Sequence, residues 1–160
     1  MAGAVRARRA QWGGGMINSY LKAMRQYATF TGRTSRKDFW FYVLAVILLS
    51  IVAQALDLVL FGGEVASGDG MVEFESYGIL IGIVHLVHFV PGLAVSVRRL
   101  HDTDRTGWWL LLELTGIGAL VILIFNLLAG TRGPNRFGPD PLAYGAPVAP
   151  APTGTIQPGR

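Results

Sequence analysis

Three long apolar blocks decide what this chain can fold into. Residues 39–61 read FWFYVLAVILLSIVAQALDLVLF, residues 77–97 read YGILIGIVHLVHFVPGLAVSV, and residues 108–129 read WWLLLELTGIGALVILIFNLLA. Asp57 is the one charge in the first block and Glu113 the one in the third, while the second has neither acid nor Lys or Arg. Each block reaches the roughly 20 helical residues that cross a hydrocarbon core. A helix is the structure that lets a single segment satisfy its own backbone there. The expectation is therefore an all-α, helical integral membrane protein with three transmembrane helices. The charged fraction agrees, at 15% against about 25% for soluble domains.

Charge placement orients the chain. Eight of its 14 Lys and Arg precede the first block (Arg6, Arg8, Arg9, Lys22, Arg25, Arg33, Arg36, Lys37), and Arg98, Arg99 and Arg105 follow the second. The loop 62–76 has no cation and carries Glu64, Asp69, Glu73 and Glu75. Basic loops stay in the cytoplasm, so the N-terminus and the RRLHD loop are expected inside and the acidic loop outside. The net charge of +4 then reflects membrane-surface cations, and nucleic acid is not an expected partner. Arg132 and Arg136 alone bear on the C-terminus, whose side stays open.

Residues 1–15 are basic but lead into no apolar run, so they do not read as a cleaved signal peptide. They form an extension expected to be disordered, ahead of a membrane domain at 16–141. Six of the eight prolines lie from Pro139 onward, which marks 142–160 as a Pro/Ala/Gly-rich disordered tail. In MINSYLKAMRQYATF, Ile17, Tyr20, Leu21, Met24 and Tyr27 share one helical face. That pattern predicts an amphipathic helix lying in the membrane interface. Asp38 falls in the first turn of the first span, where the helix dipole favours an anion.

The second span carries the most unusual residues. Gly78, Gly82, His85, His88, Gly92, Ser96 and Arg99 fall within one third of its circumference. Small residues at this spacing let helices approach closely. Pro91 frees the carbonyl of Val87 and bends the helix. Two histidines one turn apart, with no cysteine in the chain, make an incomplete metal or haem set. They are expected to hydrogen-bond between helices. Glu113 is expected to pair with Arg98, Arg99 or His101. Asp57 and Gln54 share a face and are expected to solvate the outer end of the first span.

The loop VRRLHDTDRTGWW formally matches D-x-D-x-T phosphatases, but no sheet is available to place the first aspartate. Its HD pair likewise lacks the further His and Asp of a metal phosphohydrolase. The physical reading is that Arg98 and Arg99 end the span at the surface and Asp102 holds an arginine in a bidentate pair. In that reading TGWW turns the chain and anchors the third helix. Arginines at this depth can also grip a lipid phosphate.

Three stretches, YATFTGRTSRKDFWFY, PGLAVSVRRLHDTDRTGWW and GTRGPNRFGPDP, resemble in order and spacing the signatures of the domain of unknown function 805 family. The resemblance covers 16–141 and implies a small bacterial inner-membrane protein with no assigned reaction. Family chains typically begin near Met16, so residues 1–15 read as an extension or as sequence upstream of the true start. Asp104 stands where the family usually has Gly, which puts a tight turn in doubt. Thr115 stands near where the family often has Pro, which suggests a straighter third helix. The resemblance also sharpens the candidate site. Arg33, Arg36, Arg98, Arg99 and Arg136 form a lipid- or anion-binding set, with Asp38, His101, Asp102, Asn135 and Asp140 as its structural polar partners. His85, His88 and Glu113 are the intramembrane polar residues.

The expected function is a non-enzymatic structural, lipid-binding or partner-binding module of the inner membrane, needing no cofactor or metal. Its expected partners are membrane lipids, a second copy or another membrane protein. The alternatives are a subunit of a small oligomeric transporter, with His85, His88 and Glu113 along its path, and a lipid-modifying enzyme using His101 and Asp102.

Overall fold

The structure is a computed structural model that describes residues 15–62, 64–68, 71–75 and 78–143. The expectations for residues 1–14 and for the tail from 144 onward lie outside that range.

Helix α1 (Met16–Arg25) leads through a short linker into α2 (Arg36–Phe61). Ser35 caps α2, its hydroxyl accepting from the Asp38 N–H at 3.2 Å. Helix α3 (Ile79–Asp102) runs back beside it. These two helices, of 26 and 24 residues, are long and apolar enough to cross a membrane. Between them β1 (Glu64–Gly68) and β2 (Met71–Glu75) pair antiparallel, with Glu64 opposite Glu75. This hairpin is the departure from helix in an otherwise helical fold. Asp57, fully buried, accepts from the N–H groups of Leu80 and Ile81 at 2.9 and 3.0 Å and so caps α3. A carboxylate there meets the free donors and positive dipole end of the helix.

The third apolar block does not form one crossing helix. Gly107–Thr115 is a 3₁₀ segment and Ile117–Leu127 is α4, with Gly116 at φ 71° between them. The two legs fold against each other. A Cβ on Gly118 would stand 1.7 Å from the Leu112 carbonyl oxygen, so only glycine permits that approach. Thr115 closes the tip: its hydroxyl donates to the Leu112 carbonyl at 2.8 Å and accepts from the Gly118 N–H at 3.1 Å. At the open end Trp109 meets Phe125 edge to face at 5.5 Å, and the Arg105 guanidinium lies 4.0 Å above the Phe125 ring. Nine 3₁₀ residues span about 18 Å and eleven α-helical residues about 16 Å, each near half of a hydrocarbon core of about 30 Å. Each leg is thus too short to cross alone, the chain folds back on itself at Gly116, and the straighter helix expected from Thr115 is absent.

Helix α1, expected to lie in the membrane interface, is packed against α2 and α3 along one side. It docks through buried Ser19 and Ala23, and Tyr20 and Met24 of its apolar face join a core of Ala23, Phe39, Tyr42 and Val95. Ile17, Leu21 and Tyr27 stay exposed. The reason is local: Ser19 donates to Asp38 at 2.8 Å and Lys22 pairs with the same carboxylate at 2.8 Å. Both bonds tie the polar edge of α1 to the first turn of α2.

Candidate functional site

Folding the third block back brings its C-terminal end to the last turn of α3, and the three polar motifs meet there. Arg33, from the α1–α2 linker, has a side chain that is 1% exposed. Its Nε donates to Asp102 Oδ1 at 3.0 Å, while its terminal nitrogens donate to the carbonyls of Thr131, Gly133 and Gly138. One guanidinium thus joins the first, second and third motifs. Asp102 Oδ2 accepts from Arg99 at 2.6 Å, so its two oxygens serve two buried arginines. The Asp102 carbonyl accepts from the Thr131 N–H at 2.8 Å. Gly130 lies against this carboxylate so closely that a Cβ would stand 2.1 Å from Oδ2.

The neighbouring arginines close helix ends. Arg99, fully buried, donates to the carbonyls of Asn126 and Leu128 at the end of α4, and exposed Arg36 reaches the Leu127 carbonyl at 3.1 Å. Arg98, 2% exposed, donates to the carbonyls of Gln26 and Thr29 beyond α1 and to the Thr34 hydroxyl. The last carbonyls of a helix have no partner within it. A cation there satisfies them and complements the dipole. Near a membrane this matters more, because little water is present to do the same.

His101 packs its ring on Phe137, centroids 3.9 Å apart, and its Nδ1–H donates to the Gly32 carbonyl at 3.1 Å. The Asn135 amide donates to the His101 carbonyl and the Thr131 hydroxyl, both at 2.9 Å. Asp140 accepts from the Leu142 and Gly133 N–H groups, and these bonds, Leu142 foremost, hold its carboxyl below the usual carboxylate range. Asp38, in the first turn of α2, lies apart from this cluster and accepts from Ser19 and Lys22 of α1. Arg136 lies at the rim, exposed, paired with Asp104 at 3.2 Å. Asp104 adopts φ 58°, the left-handed conformation that Asp tolerates better than most residues. The tight turn that its presence put in doubt is therefore retained.

The expected pairing of Glu113 with Arg98, Arg99 or His101 does not form. Those three have the partners just described, and Glu113 is exposed next to the hairpin tip. His88 is buried. Its Nδ1–H donates to the Val84 carbonyl at 2.7 Å, which leaves Nε2 to accept from the Tyr20 hydroxyl at 2.9 Å. The Val87 carbonyl that Pro91 frees accepts from the Tyr27 hydroxyl at 2.8 Å. His85 is exposed.

Sequence reasoning missed Thr131, Gly130 and Tyr27. Gly130 and Thr131 open the third motif, so they carried a signal. Tyr27 was one residue of an apolar face, and nothing marked it as a hydrogen-bond donor to α3.

A family described as "Protein of unknown function (DUF805)" matches residues 27–139. Inner membrane protein YhaH of Escherichia coli (strain K12) is 47% identical over 123 residues, covering 76% of this chain and 94% of the relative. Inner membrane protein YhaI of the same strain is 37% identical over 123 residues, covering 76% and 93%. No solved structure matches the chain.

Proposed function

The chain belongs to the DUF805 family, and on that premise we propose that it is a non-catalytic binding module held together by an Arg/Asp clasp at its cytoplasmic face. Its place is the bacterial inner membrane, as for the relatives YhaH and YhaI. The observation that supports the clasp is the Arg33 guanidinium, which bonds to Asp102 and to three carbonyls of the third motif. Arg33, Arg98 and Arg99 are buried and directed at protein acceptors. A lipid phosphate would have to displace those acceptors, a carboxylate, a hydroxyl and backbone carbonyls that the exchange would leave unsatisfied. In this reading anionic headgroups are met instead by the exposed rim, Arg25, Arg36, Lys37, Arg132 and Arg136.

Native mass spectrometry with bound phosphatidylglycerol, run beside thermal unfolding in detergent, tests the division. Lys37→Ala with Arg132→Ala is expected to lose bound anionic lipid and keep its melting temperature. Arg33→Lys keeps the charge but not the planar fork, so it is expected to lower the melting temperature and keep the lipid. The reverse pattern would return the buried arginines to a lipid-binding role.

A further inference from the structure

Beyond the clasp, the α2–α3 pair carries a surface that no other element among the described residues covers. The 3₁₀ segment and α4 turn back after about half a membrane thickness, so the far half of the pair stands alone. An open groove of about 450 Å³ runs along it, lined by Val46, Ile47, Ser50, Ile51, Ile81 and His85. His85 is exposed and has no hydrogen-bond partner among the described residues. It lies about 18 Å along α3 from Val97, at about 1.5 Å per residue. In water such a side chain costs nothing. In hydrocarbon an imidazole without a partner is expensive, and polar groups there face another helix.

The chain carries a complementary group at similar depth. Glu113 is also exposed, without a partner among the described residues. Gly107 packs on Val97, where an added Cβ would stand 2.8 Å from Val97 Cγ1, and Glu113 lies about 12 Å further along the 3₁₀ segment. Acid and imidazole therefore differ in depth by about 6 Å, within the combined reach of the two side chains.

Gly82 adds an independent observation. At Gly118 and Gly130 an added Cβ would collide at 1.7 and 2.1 Å, so the fold uses both as close-approach points. At Gly82, on the same side of α3 as His85, an added Cβ meets nothing within 4 Å. The sequence provides a close-approach point there, and no described element makes the approach.

We propose that a second copy of this chain docks on this face, α3 against α3 across a two-fold axis, with the backbones meeting at Gly82 and each His85 reaching Glu113 of the other copy. A two-fold interface makes every contact twice from one self-complementary patch. Small residues supply the packing and polar side chains the hydrogen bonds by which helices associate in lipid. A second copy is favoured because the chain itself holds both halves of the acid–imidazole pair.

The test is single-molecule photobleaching of the full chain in liposomes across a protein-to-lipid dilution series. Wild type is expected to form dimers. Gly82→Leu is expected to lower the association constant roughly tenfold or more while leaving thermal unfolding unchanged, since the added side chain enters open space. His85→Ala and Glu113→Gln are each expected to weaken the dimer, and the double variant no further than either alone. Monomers at every dilution overturn the proposal, including when a different membrane protein is captured instead. A dimer indifferent to Gly82→Leu overturns the surface, and additive effects of His85→Ala and Glu113→Gln overturn the pairing.

Discussion

At the clasp end of the α2–α3 pair, Arg33, Arg98, Arg99 and Asp102 are buried and each meets a partner from another segment. Deeper in the apolar layer, His85 and Glu113 are exposed and meet no partner among the described residues. Both regions place ionisable side chains where water is scarce. The first is closed by the chain itself, and charge there does the work of tying segments together. The second is left open, which is what a surface awaiting another molecule looks like. The most conspicuous motif in the sequence is thus the part most fully occupied with holding the fold.

The sharpest way to break this comparison is to open the clasp. Asp102→Ala leaves two buried arginines without their shared carboxylate, and removing one partner of a buried ion pair costs about 3–5 kcal/mol. Unfolding in detergent should show a loss of that size, whereas a change under about 1 kcal/mol would demote the clasp to a surface ion pair. Glycines give the next contrast. Gly130→Ala drives a Cβ into the Asp102 carboxylate and is expected to cost about 1–3 kcal/mol by overpacking. Gly82→Ala, facing open space, should leave the isolated chain as stable as before. Equal losses at the two sites, measured by the same melts in dilute detergent, would erase the distinction between closed and open regions.

Smaller effects sharpen it. Tyr27→Phe removes the donor to the Val87 carbonyl and should cost about 1 kcal/mol, with faster amide exchange near Pro91. Asp104→Gly should leave stability within about 0.5 kcal/mol of wild type, because easier left-handed backbone offsets the exposed pair with Arg136. Asp104→Ala should cost about 1 kcal/mol.

The smallest effect is on Asp140, whose carboxyl is held below its ordinary value. A depressed folded pKa contributes stability that is fully present above the unfolded value of about 4. That contribution is lost as pH falls through the lower folded value. Melts of wild type and Asp140→Asn should therefore differ at neutral pH and converge in acid.

Much of this was legible along the chain. Hydropathy and length announced α2 and α3, Pro91 announced an orphan carbonyl at Val87, and three polar motifs announced residues that belong together. What could not be read was which residue answers which. The freed carbonyl is met by Tyr27, 60 residues away in sequence, and Glu113 is not met by the loop cations expected for it.

The sequence by itself determined that this chain enters a membrane, because about 20 apolar residues in a row have no cheaper place to go. Only the tertiary structure decided that the third block turns back. A crossing helix and a returning hairpin put the same side chains into the same apolar layer, so hydropathy is equal for both. The choice falls to contacts that composition does not encode. The Thr115–Gly118 tip lets the legs approach, Arg36 and Arg99 hold the end carbonyls of α4, and Arg33 binds the segment that follows to Asp102.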